Sequence, residues 1–219
     1  MKIKKYVLLK NNFIKIDGKK LFRIKALKDF SIIKKDSLGG YIEKEENLSQ
    51  VGNAWVSGNA WVFGNARVSD NARVSDDAWV FGDAWVFGNA RVSGNAGVSD
   101  NARVSGNAWV SGNAWVFDNA WVFDNAWVFD NARVSDKARV YGNAWVFGDA
   151  WVFDNARVFD NARVSGNARV SGKLKINFVL CSKFEFEFNW QVKLWKKLEA
   201  QFEKENNKRL KRYEGDELE

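Results

Sequence analysis

The sequence predicts an all-β fold, a single-stranded parallel β-solenoid, and three observations carry that expectation. A six-residue phrase, (N/D)-A-(W/R)-V-(S/F)-(G/D), recurs twenty times from Asn53 to Ser171 without an insertion. Ala holds every sixth position from Ala54 to Ala168 and Val every sixth from Val56 to Val170. Their neighbours meanwhile exchange Trp for Arg and Phe for Ser, and a Gly, Asp or Asn pair closes almost every phrase. Only Lys137 breaks the Asx position, and only Gly97 the Trp/Arg position.

Each hexad reads as a short strand followed by a turn. In A-x-V-x, alternation puts Ala and Val on one face and the variable residues on the other. The closing Gly/Asp-Asn pair tolerates left-handed backbone angles, which is turn chemistry. A period of six matches no helical face. A packed interior cannot absorb a change from Trp to Arg or from Phe to Ser, so the invariant Ala and Val point inward. The aromatic residues stand outside.

The phrases "VSDNAR" and "VFGNAW", with Val74 and Ala78 as one pair, resemble the hexapeptide repeat of left-handed parallel β-helices. The resemblance implies a left-handed triangular prism, with three hexads in each 18-residue coil. Twenty hexads then give about seven coils, roughly 30 Å tall at about 4.8 Å per coil. A flatter coil of two strands and twelve residues is the competing geometry. The leader from Phe22 through the first full hexad is similar to uncharacterised bacterial and phage hexapeptide-repeat proteins often labelled as transferases. Arg23, Asp29-Phe30, Gly39-Gly40 and Asn47-Leu48-Ser49 carry that likeness.

Three segments are expected: a β-hairpin and capping leader over 1–50, the β-helix over 51–182, and a C-terminal strand and helix cap over 183–219. Asp17-Gly18 reads as a hairpin turn between strands bearing Phe13, Ile14, Ile16, Leu21, Phe22 and Ile24. Leu48 takes the Ala slot of a degenerate first hexad, and Leu174 and Ile176 keep the register at the other end. "KFEFEFNW" alternates like an edge strand, and Val192, Trp195, Leu198 and Phe202 recur at the spacing of an amphipathic helix. Both ends would cover strand edges that otherwise stack on other copies.

Charge is uneven. Residues 1–50 hold 13 basic and 6 acidic side chains, while residues 51–172 hold 10 and 12, leaving the repeat near neutral. Nucleic acid is therefore not the expected partner. The single cysteine, Cys181, leaves no intrachain disulfide and fits a reducing compartment. There is no signal-peptide core at the N-terminus and no run long enough to span a bilayer. A cytoplasmic location away from membranes is expected.

Catalytic chemistry finds little support. Many hexapeptide-repeat proteins are acetyl-CoA-dependent acyltransferases that use a His as base, often on a loop leaving the prism. This chain has no His and no such insertion, so an acyltransferase relative is the alternative and not the main expectation. Nucleophilic triads fail for the same reason. Asp76-Asp77 and Asp118, Asp124, Asp130 and Asp136 are the nearest approach to a Ca²⁺ site, and they read better as turn residues. No catalytic, cofactor-binding or metal-binding residue is expected, and the lack of Thr argues against ice binding.

The outer surface remains. With 18 residues per coil, one column carries Trp61, Trp79, Gly97, Trp115, Arg133, Trp151 and Arg169. Trp61, Phe63, Trp79, Phe81, Trp115, Phe117, Trp151 and Phe153 are then the expected binding surface, larger than a soluble monomer usually leaves open. A homo-oligomer, as a trimer or by side-by-side packing, is the first expectation. A protein or glycan partner is the second.

Overall fold

The hexads wind into a parallel β-solenoid of three sheets, of eleven, eight and seven strands, in the computed structural model. It describes residues 4–181 together with residues 185, 186, 197, 201 and 204. Within the repeat each strand pairs with the one eighteen residues on, as in Trp55↔Arg73, Trp61↔Trp79 and Arg67↔Trp85. Three hexads therefore complete one coil, and the twelve-residue coil is excluded. Side one begins at Trp55, side two at Trp61 and side three at Arg67.

Every Ala and Val of the repeat is buried, at no more than 1% exposure. The tube they fill has fixed dimensions, because each coil repeats the backbone hydrogen bonds of the one below. Trp115 N–H donates to Ala132 O at 2.9 Å and Phe117 N–H to Val134 O at 3.0 Å. A fixed frame packed to crystalline density tolerates one volume at each slot, hence the invariance.

The corners are set by the residue before each Asx. At that position Gly64 and Asp118, for example, have φ of 70° and 59°. Asp carries a conformational cost there that Gly does not. A compensating bond accompanies it: Asp70 Oδ2 accepts from Gly88 N–H and Asp76 Oδ2 from Gly94 N–H, each at 3.0 Å in the coil above.

The N-terminal strands extend side two. β1 (Tyr6–Ile16) and β2 (Lys19–Ala26) form the expected hairpin, with Asp17 and Gly18 at φ 47° and 75°. β2 pairs antiparallel with β3 (Leu38–Ile42), which joins the solenoid in parallel through Tyr41↔Trp61. Leu21 and Ile24 are buried, whereas Phe13 lies outside. Gly39 and Gly40 let β3 cross the first coil closely, since an added Cβ would meet Val56 O and Ala60 O at 2.6 Å.

This leader closes the end of the tube. Tyr6 Oη donates to Leu48 O at 2.6 Å, and the buried Lys5 Nζ donates to Ala54 O at 2.8 Å. Leu48, expected in the Ala slot, is buried but pairs with Val68, so it fills the Val slot of the degenerate hexad instead. Asn47 is buried after a 3-10 turn over Glu45–Asn47 and donates to Gly64 O and Ala66 O.

At the other end the solenoid outlasts the hexad pattern, giving about eight turns where about seven were expected. Leu174, Ile176 and Leu180 are buried in inner slots. The last turn is shorter, for Arg163 pairs with Val179 and Arg169 with Glu185. The Glu185–Phe186 segment, expected as an edge strand, is thus a further rung on side two. Val192, Trp195, Leu198 and Phe202 of the expected C-terminal helix lie outside the described residues. Lys197, Gln201 and Lys204, spaced along one helical stripe, are helical and exposed. Among the described residues no helix is long and apolar enough to cross a membrane.

Candidate functional site

Side two places its outward residues in one ladder, and the rings touch within it. Trp61 stacks on Trp79 with centroids 4.9 Å apart, and Phe63 on Phe81 at 5.1 Å. Stacking follows from the coil spacing, which brings identical slots to about the thickness of an aromatic contact. Trp79 is the most open of these indoles, at 40% exposure.

Gly97 then interrupts the ladder and changes its geometry. With no side chain at 97, Trp115 folds down over that backbone, so an added Cβ there would lie 2.7 Å from its ring. The indole reaches across the gap to Trp79 and Phe81, edge to face at 6.5 Å and 6.3 Å. Five of the eight residues expected as a binding surface thus form one cluster: Trp61, Phe63, Trp79, Phe81 and Trp115. Phe117 borders a shallow hollow beside it with Ser99, Trp115 and Arg133. Arg133 separates Trp151 and Phe153 from the cluster in the ladder, and those two rings pack on each other at 4.8 Å.

Cations lie over rings on sides one and two. Arg163 lies over Trp145 at 4.7 Å, Arg169 over Trp151 at 5.4 Å and Arg91 over Trp109 at 5.7 Å. Trp55 departs from the rule that Trp stands outside. It is buried at 3% exposure, because Phe30 and Tyr6 of the leader pack against it edge to face at 5.3 Å and 6.4 Å.

Trp–Ser and Asn–Asn contacts between coils were not foreseen from the sequence. Trp85, Trp109, Trp121 and Trp151 each stand one coil above an Arg–Ser hexad. Each donates its indole N–H to that hexad's Ser, at 3.3, 3.1, 3.3 and 3.1 Å. At the corner before side one, the side chains of Asn53, Asn71, Asn89, Asn107, Asn125, Asn143 and Asn161 form a continuous amide ladder. Its signal was in the sequence, since every third Asx there is Asn and never Asp.

Acidic residues also align further than expected. Asp100, Asp118, Asp136 and Asp154 occupy one corner in successive coils, whereas Asp124 and Asp130 of the expected series stand at the other corners. Asp118, Asp136 and Asp154 each accept from the backbone N–H above, at 3.4, 3.3 and 3.1 Å. Among the described residues no three His, Cys, Asp or Glu side chains converge as a metal site. Among the described residues, the two strongly shifted groups belong to the leader. Burial, then the Lys28 charge, lowers Lys5 to about 8, and burial, then Glu45 and Glu46, raises Tyr6.

This architecture defines a repeat β-solenoid protein. Residues 66–82, 84–100, 96–112, 138–153 and 162–173 match the family model described as the YdcK beta solenoid repeat. No curated protein matches the chain.

Proposed function

We propose that the protein is a non-catalytic binding scaffold of left-handed, hexapeptide-type coils that self-associates through side two. The observation that carries this reading is the Trp61–Phe63–Trp79–Phe81–Trp115 cluster, a partly exposed aromatic surface built on a rigid sheet. Apolar area drives association, and a flat side repeats the same surface on every copy. The likeness of "VSDNAR" and "VFGNAW" to hexapeptide repeats, together with the three-hexad coil, supports the left-handed reading.

Sedimentation equilibrium tests the association. The unaltered chain is expected to form a discrete oligomer, and Trp79→Arg to shift it toward monomer. A clean monomer of the unaltered chain at high concentration would overturn the proposal.

A further inference from the structure

We infer that side three carries a binding groove for an acidic glycan, a chain of uronate-type sugars. The groove is open, has a volume of about 560 Å³, and runs along the solenoid axis between two columns of side chains. Arg103, Arg139 and Arg157 form one wall, and Lys137 stands in the other. All four cations are exposed, and among the described residues none of them is in an ion pair. Arg139 lies over Trp121 at 5.9 Å; the charged ends of the other three make no hydrogen bond or ring contact within the described residues.

The amides beside them are equally free. At the corner before side one the Asn side chains consume each other's hydrogen-bonding capacity in a ladder. Asn101 and Asn119 stand in successive coils in the same way, yet their side chains make no such bond, and Lys137 replaces the next member. Guanidinium forks matched to carboxylate geometry and amides able to donate and accept thus face one channel. The neighbouring Asp118, Asp136 and Asp154 do not line it, being engaged with backbone N–H groups along the axis.

Periodicity and the scarcity of rings favour sugar over nucleic acid. Coils recur at about 4.8 Å, close to the length of one pyranose unit in an extended chain. Such a chain laid along the axis meets Arg103 at the first coil, Trp121 in the same wall at the second, and Arg139 and Arg157 at the third and fourth. A single-stranded nucleic acid would need a series of aromatic platforms. The groove holds one indole. The groove lies on a different side from the aromatic cluster, so it stands or falls independently of self-association.

The test is titration calorimetry of the full chain with an oligogalacturonate, its methyl-esterified form and a single-stranded oligodeoxynucleotide of equal length. Saturable binding is expected for the free acid only, weakening as salt is raised. Arg103→Gln with Arg157→Gln is expected to reduce affinity at least tenfold, and Arg73→Gln with Arg91→Gln on side one to leave it within twofold. Circular dichroism confirms that both variants stay folded. No binding of the free acid at millimolar ligand, equal loss in both variants, equal binding of the esterified form, or tighter binding of the oligonucleotide would each overturn the inference.

Discussion

The indole N–H of Trp151 donates at 3.1 Å to the hydroxyl of Ser135, which itself donates to Asp136 Oδ2 at 2.9 Å. One small hydroxyl thus ties together a ring from the coil above and the turn of its own coil. Ser135 is buried beneath that indole. Ser135→Ala is expected to lower stability by about 1 kcal/mol, the usual net worth of such hydrogen bonding. Denaturant unfolding of the variant checks it.

Interior and exterior slots should respond in opposite ways to volume. Ala102 is fully buried, and Ala102→Leu is expected to cost about 1–3 kcal/mol or more through overpacking. Arg133→Trp on the outer face, where both residue types already occur, is expected to stay within about 0.5 kcal/mol. Comparing the two unfolding midpoints tests which face is the core.

The corner before each Asx should distinguish Gly from Ala. Asp70 has φ 60° and accepts from Gly88 N–H at 3.0 Å. Asp70→Gly loses the bond but relieves the backbone, so a near-neutral effect is expected. Asp70→Ala loses the bond and keeps the left-handed angle, at an expected cost of about 1–3 kcal/mol. Equal stability of the two variants would contradict this account.

The leader should respond to alkaline pH in two directions. Lys5 has a folded-state pKa of about 8 against an ordinary 10.5. Between those values the unfolded chain holds the proton that the folded chain has lost, so stability rises with pH. Tyr6 is raised above its ordinary 10.0, so the stability it contributes is complete below about pH 10 and is lost above it. Unfolding midpoints from about pH 7 to 11 are expected to climb toward about pH 10 and then fall. Lys5→Met should abolish the climb and leave the fall.

Much of the fold was legible because a period-six constraint acts inside the repeat. Ala and Val could be placed inward from their invariance, and the columns followed once the coil length was set. The hairpin was legible from Asp17-Gly18 because its turn is local. The burial of Trp55 was not, since Phe30 and Tyr6 cover it from a segment outside the repeat. The collapse of Trp115 onto Gly97 likewise depends on which residues stack eighteen apart and on the room left by a missing side chain. The Trp–Ser bonds were not legible either, because they join hexads of successive coils. Each occurs where an Arg–Ser hexad lies directly below a Trp hexad.

The eighteen-residue register has a consequence for the size of the molecule. Each coil offers its neighbours the same strand pairing, so whole coils can be inserted or removed while both ends keep their seats. Adding one or two hexads would instead turn one end by a side relative to the other and misalign every column between them. Copy number is therefore a ruler graduated in steps of about 4.8 Å, on which the separation of the two ends can change without new packing chemistry.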